Sequence, residues 1–142
     1  AQKQPAQALE VMGKGPFNRA ERLLRNRALL ASGEAVQQRA AIEDLELLCA
    51  INPRDALAWE EVAQAWQTQG FPLRALRAQA ESQSARYDDR AALDRLQAAQ
   101  ELADRMRAQG KLGPGDWQDL EIIRSRWHSI NESLMALMKS RI

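Results

Sequence analysis

The sequence predicts an all-α fold of about six antiparallel helices that pack as successive helical hairpins and end in a long helix pair. Ala, Leu, Gln, Arg and Glu, which favour helices, dominate the 142 residues, and the β-branched and aromatic residues that favour strands are few. Only seven Gly and five Pro are present, so long loops are scarce. Apolar residues recur at intervals of three and four, the spacing of one helix face.

Residues 1–16 are predicted to form a lead-in segment, either a short helix or a loose stretch of chain. Gly13, Gly15 and Pro16 interrupt the pattern at its end, as expected of a boundary between segments. The remaining residues, 17–142, are predicted to form a single helical domain, because this length is enough for one continuous core.

The first two helices of that domain are predicted from apolar spacing and from their end signals. The first lies within the segment FNRAERLLRNRALLASGE, and Gly33 is its predicted end. The second lies within AVQQRAAIEDLELLCAI. It is predicted to end at Asn52, because the residue before Pro53 is pushed out of the helical region.

The third helix is predicted to begin after Asp55, whose carboxylate can accept hydrogen bonds from the free N–H groups of the first turn. Its inner face is predicted to alternate small and large apolar residues, namely Ala56, Trp59, Ala63 and Trp66. Gly70 suits the left-handed position after a helix, and Pro72 suits the first turn of the next one. A short corner therefore joins the third and fourth helices.

The fourth predicted helix, PLRALRAQAESQSARY, is more polar than the third. Asp88 or Asp89 can cap the fifth helix, which is predicted to stop near Gly110. The last helix is predicted to begin near Asp116 and to be the longest. Short connections make sequential helices antiparallel neighbours, which gives the hairpin array.

The third and fourth helices resemble one tetratricopeptide unit, a repeat of two helices with large and small residues at set positions. The matching positions, and those that repeat the second-helix pattern further on, are predicted to pack between helices: Trp59, Ala63, Trp66, Gly70, Ala75, Ala92, Leu96 and Ala99. An alternative for Trp59 and Trp66 is that they line a ligand groove. The array is thus predicted to be tetratricopeptide-like, with the final helix pair capping one end.

Three segments resemble the C-terminal helical region of bacterial periplasmic zinc metallopeptidases, the β-barrel-assembly-enhancing proteases, which are relatives of the CAAX prenyl protease. The family pattern RAxAE falls at residues 77–81, AxDRLxxAQxLA falls at 92–103, and the long closing helix falls at 116–137. The resemblance covers roughly residues 17–138. It implies a domain that presents substrates or docks on partners of outer-membrane assembly, located in the periplasm.

The catalytic motif of that family is absent from this chain. HExxH places two histidines on one helix face to hold zinc, and the only histidine here is His128. We therefore predict no catalytic residue, no metal ligand and no cofactor in this chain, and the resemblance places the zinc in a catalytic domain that lies outside it. Whether the parent protein is an enzyme is left open.

Composition limits the classes of partner. The chain carries 20 basic and 19 acidic residues, without the basic excess that is typical of nucleic-acid binding. No apolar run reaches the length of a membrane span, so no membrane insertion is predicted. The single cysteine, Cys49, cannot form an internal disulfide and is predicted to be a small buried side chain.

The predicted function is a non-catalytic protein–protein interaction domain whose partner is a polypeptide or a protein. The fourth helix is the least apolar inner helix, so its polar residues are the candidate partner contacts: Arg74, Arg77, Gln79, Gln83 and Arg86. One alternative is a structural helical scaffold that forms homodimers through Ile122, Met135 and Met138. A peptidase with an unrecognised site is the remaining alternative, and we expect the isolated chain to show no such activity.

Overall fold

A computed structural model of the chain describes residues 3–13 and 15–141, and over those ranges it is helical with no strand. Seven helices follow one another: α1 (Lys3–Met12), α2 (Arg19–Ala31), α3 (Ala35–Ile51), α4 (Ala56–Thr68), α5 (Pro72–Ala85), α6 (Asp89–Ala108) and α7 (Pro114–Lys139). The predicted all-α class is confirmed. The fourth predicted helix is α5, and the last is α7.

The helix beyond the predicted six is α1, which occupies the predicted lead-in segment and packs against α2. The six helices predicted for residues 17–142 are α2–α7, and α1 is the short helix that was one of the two alternatives for the lead-in. Ala1, Gln2 and Lys14 of that segment, and Ile142 at the other end of the predicted domain, lie outside the described residues.

The helix starts follow from local side-chain chemistry. α2 begins with a capping box, in which the Asn18 side chain accepts from the Glu21 N–H at 2.9 Å and the Glu21 carboxylate accepts from the Asn18 N–H at 3.2 Å. Asp55 caps α4 and Asp88 caps α6, each by accepting from the N–H three residues further on, at 3.2 and 3.1 Å. The sequence left Asp88 and Asp89 as alternatives for the second of these caps.

The corner between α4 and α5 has the predicted chemistry. Gly70 adopts φ +83°, and Pro72 is the first residue of α5. The last helix starts at Pro114, two residues before Asp116. The Asp116 carboxylate accepts from the Gly113 N–H at 2.9 Å and closes the first turn of α7.

Each helix packs against the next along the chain, and two pairs skip one helix: α2 with α4, and α5 with α7. In a regular array the pairing of α2 with α4 would be repeated by α4 with α6, but no such packing occurs among the described helices. The last hairpin has instead turned so that α7 lies on α5. As a result α3 and α7 do not pack against each other, and α4 and α5 lie between them.

The core consists of two clusters of buried apolar residues. The first joins α2, α3 and α4 around Leu45, and the second joins α5, α6 and α7 around Leu96, both of which are fully buried. Most of the predicted packing residues are buried in these clusters or beside them: Ala63, Ala75, Ala92, Leu96 and Ala99. Trp59 and Trp66 are half-buried against the first cluster, and Gly70 lies at the exposed corner.

The low hydropathy of the fourth predicted helix does not mean that it is loosely packed. α5 packs against α4, α6 and α7, and it carries more buried residues than any other helix among the seven described: Leu73, Ala75, Ala78, Ala80, Glu81 and Ser82. Most of these side chains are small, so they add little hydropathy to the sequence. They do allow neighbouring helices to approach closely, and this makes α5 the central helix of the fold.

Candidate binding groove

A groove opens between α3 and α7, with α4 and α5 as its floor, and we call it the α3–α7 groove. Its cavity volume is about 650 Å³. It exists because α3 and α7 are each attached to the α4–α5 pair and not to each other. Its lining mixes aromatic, aliphatic and charged side chains, with Glu46 on the α3 wall and Ile122 on the α7 wall.

Trp59 and Trp66 form much of the floor. One part of each indole packs against the first core cluster, and another part lines the groove. The Trp59 Nε1–H donates to the carbonyl oxygen of Pro53 at 3.0 Å, which fixes the orientation of the ring. The two alternatives considered for these residues, helix packing and groove lining, therefore describe two sides of the same rings.

Arg74 is held against both the floor and the α7 wall. Its guanidinium carbon lies 5.0 Å from the centroid of the Trp66 ring and 4.8 Å from that of Phe71. Its Nε donates to the two carboxylate oxygens of Asp119 at 3.0 and 3.2 Å. The side chain is therefore held in place by stacking and by an ion pair.

Arg77 is held in a similar way one turn further along α5. Its guanidinium carbon lies 5.1 Å from the centroid of the Trp59 ring, and its Nη2 lies 3.5 Å from the Glu81 carboxylate. Glu81 is buried and also accepts from Arg126 Nε of α7 at 2.8 Å. This network ties α7 to α5 and sets the position of the α7 wall.

The groove changes the acidity of two carboxyl groups. Burial raises the pKa of Asp119, and the charge and hydrogen bond of Arg74 only partly oppose this effect. Glu46 keeps a solvent-exposed side chain, yet loss of hydration at the groove wall raises its pKa too. Arg74 opposes that rise and Glu43 adds to it. Perturbed carboxyl groups in a cleft are typical of functional sites, although ion pairs that serve structure cause the same effect.

The structure does not bring the five predicted contact residues together. Successive residues of a helix turn by about 100°, so the five divide between two faces of α5. Arg74 and Arg77 line the α3–α7 groove, whereas Gln79, Gln83 and Arg86 lie outside it. Arg86 instead forms an ion pair with Glu60 of α4 at 2.7 Å.

Sequence reasoning missed the α7 wall as a part of this site. Asp119, Ile122 and Arg126 recur at intervals of three and four, and so form a second face beside the apolar stripe of α7. That spacing is visible in the sequence and could have marked a face with a role of its own. Nothing local indicates that the face meets α5.

Cys49 borders the groove but is 3% exposed, and burial raises the pKa of its thiol to about 12. The thiolate is the nucleophile, so the folded protein is expected to react with a thiol-exchange reagent at pH 8 far more slowly than the chain unfolded in guanidinium. Absorbance after addition of an aromatic disulfide measures both rates. Equal rates in the two states would contradict the buried placement of this residue.

Among residues 3–13 and 15–141, no group of three or more His, Cys, Asp and Glu side chains is arranged to hold a metal ion. None of the helices described is both long enough and apolar enough to cross a membrane. Comparisons of the chain with protein-family models, with curated proteins and with solved structures gave no match.

Proposed function

We propose that the chain is a non-catalytic protein–protein interaction module that binds a polypeptide segment in the α3–α7 groove. The observation that supports this most directly is the groove itself, an open cleft between two helices that do not pack against each other. Its volume of about 650 Å³ accommodates a few side chains of a partner. Most of a bound segment would therefore lie along the groove and not inside a closed pocket.

The residues of the floor suit a protein partner. Trp and Arg are the side chains that most often dominate the binding energy of protein interfaces, and here two of each lie side by side. The stacking of Arg74 and Arg77 on the indoles and their ion pairs with Asp119 and Glu81 order these side chains before a partner arrives. A prearranged surface loses less conformational entropy on binding.

The resemblance of residues 77–81, 92–103 and 116–137 to periplasmic zinc metallopeptidases supports a more specific proposal about context. The module would be appended to a zinc metalloendopeptidase of the bacterial periplasm, whose catalytic domain holds the zinc. It would present substrates to that domain or dock on outer-membrane assembly partners. The complete reading frame tests this: an HExxH motif outside the present chain supports it, and a complete frame without that motif contradicts it.

Replacing Ile122 with glutamine tests the binding proposal. Ile122 is 41% exposed on the groove wall, so the change removes an apolar contact without opening the core. Peptides selected from a random phage-displayed library on the immobilised chain are the probe, and their affinity is measured by fluorescence anisotropy. We expect the Ile122→Gln variant to bind the selected peptides about tenfold more weakly.

Leu47→Gln is the matched control. Leu47 is 52% exposed on α3 and lies outside the groove, so this variant makes the same kind of change elsewhere on the surface. Its affinity for the peptides is expected to stay within twofold of that of the unchanged chain. A library that yields no binder, or binders that both variants weaken equally, would contradict the proposed groove.

A second candidate function is a homodimerising helical scaffold, which the exposed apolar end of α7 favours. Met135, Leu137 and Met138 are 50%, 49% and 45% exposed in the last turns of that helix. Ile122 does not extend this strip, because helical spacing turns it by about 140° from Met135. Sedimentation equilibrium over a wide concentration range distinguishes the candidates: a dimer that Met135→Gln dissociates supports the scaffold, and a monomer throughout removes it.

A further inference from the structure

Most of the charged side chains that line the α3–α7 groove already have ionic partners. Arg74 is paired with Asp119, and Glu81 accepts from Arg126 and lies beside Arg77. A partner that displaced these contacts would have to break an ion pair and also disturb the attachment of α7 to α5. These groups therefore serve mainly to shape the groove.

Glu46 is different. It lies on the α3 wall, its side chain is exposed, and it forms no ion pair or hydrogen bond with any residue in the described part of the chain. A smaller hollow of about 560 Å³ continues along the same wall, and both cavities share Glu46 and Trp66. Glu43, one turn before Glu46, lines that hollow. Arg39 also lines the hollow, so the α3 wall carries two carboxylates and one cation, and Glu46 is the carboxylate that faces the open groove without a direct ion pair.

Apolar surface surrounds this charge. The indoles of Trp59 and Trp66 form the floor below the α3 wall, and Ile122 faces them from α7. A bound segment that places apolar side chains on this surface would bring its own neighbouring groups close to Glu46. An acidic group there would be repelled by the unpaired carboxylate, and a neutral one would leave it partly desolvated without a partner.

Building on the proposed function, we propose that the bound segment carries a lysine or arginine side chain that pairs with Glu46, between apolar side chains that contact Trp59, Trp66 and Ile122. The partner class is thus a basic–apolar peptide segment and not an acidic one. Charge complementarity supports this pairing, because Glu46 is the one charged groove residue that has no ionic partner among the described residues.

The same phage-displayed random peptide library supplies the test. Clones whose capture falls when Ile122 is replaced by glutamine are groove-dependent, and their sequences are compared with those of the unselected library. We expect Lys and Arg to be enriched beside apolar residues in this set. Enrichment of Asp and Glu, or no charge preference, would overturn the proposal.

One selected basic peptide is then synthesised, together with a copy in which norleucine replaces its basic residue. Glu46→Gln is expected to weaken binding of the basic peptide about fivefold and to leave the norleucine copy unchanged. Glu101→Gln, which removes a charge from an exposed position on α6, is the matched control and is expected to change neither affinity. Glu46 is exposed, so its replacement leaves the fold intact.

The outcomes distinguish failure of the proposed function from failure of the proposed basic partner. A library that yields no groove-dependent binder overturns the proposed function, and this proposal with it. Groove-dependent binders that are indifferent to Glu46→Gln overturn only the assignment of a basic partner. A fivefold loss that also appears with the norleucine copy would show that Glu46 acts without a cationic partner, and would likewise overturn it.

Discussion

Replacing Leu96 with alanine is expected to lower the free energy of unfolding by about 3 kcal/mol. Leu96 is fully buried on α6, in the cluster where α5, α6 and α7 meet. The change removes apolar contacts and leaves a cavity, because the helices around it cannot close completely. A loss of this size would be a large part of the stability of a typical domain.

Urea unfolding followed by circular dichroism at 222 nm measures the change. The midpoint is expected to fall while the slope of free energy against urea stays constant, because the unfolded chain exposes nearly the same surface. Leu47→Ala, at a half-exposed position on α3, is the matched control and is expected to change stability by less than about 0.5 kcal/mol. Equal effects of the two substitutions would contradict the assignment of Leu96 to the core.

The helices and their joins could be predicted because their signals are local. Asp55 caps α4 through the N–H three residues away, and Gly70 and Pro72 form the corner with no help from distant residues. Apolar spacing likewise identified Leu96 as a packing residue from α6 alone. Each of these predictions needed only residues that lie within a few positions of one another.

The groove could not be predicted in this way, because its walls come from parts of the chain that are far apart. Arg74 meets Asp119 across 45 residues, and Glu46 lies opposite Ile122 across a longer interval still. Which helix pairs with which is decided by tertiary packing, and here α7 packs on α5 whereas α6 does not pack on α4. Short sequence patterns do not predict which helices will pair.

The packing of α5 could not be predicted for a different reason. The low hydropathy of that helix suggests exposure, but its buried face consists mostly of Ala and Ser, which contribute less hydropathy than larger apolar residues. Small residues at a helix crossing and polar residues on a solvated face give similar averages over a window. Only the positions of neighbouring helices distinguish the two cases.

Replacing Asp55 with alanine is expected to lower the free energy of unfolding by about 2 kcal/mol, because two separate interactions are lost. Asp55 is 4% exposed, and its carboxylate accepts from the N–H of Ala58 at 3.2 Å to cap α4. It also accepts from Arg19 Nε at 2.7 Å, which joins the start of α2 to the start of α4. Loss of the cap costs about 1 kcal/mol. The Arg19 side chain is half-exposed, so loss of the ion pair adds about as much.

Asp55→Asn separates the two contributions. Asparagine keeps an acceptor for the cap but has no charge for Arg19, so we expect about half of the loss seen with alanine. Arg19→Gln removes the ion pair from the other side and is expected to match the asparagine variant. A full loss in either of these variants would mean that the cap contributes little.

The dependence on pH gives an independent test of the ion pair. The hydrogen bond from Arg19 holds the pKa of Asp55 below its usual value, so folding favours the charged carboxylate. This stabilisation is fully present above the pKa of the unfolded chain, about 4, and is lost as the pH falls through the lowered pKa of the folded state. The difference in free energy of unfolding between the unchanged protein and Asp55→Ala should therefore narrow below pH 4. Urea unfolding of both proteins at several pH values measures this difference. Asp44, whose pKa is also lowered, stays in both proteins and cancels in the comparison. A difference that stays constant into acid would show that Asp55 stabilises the fold without its charge.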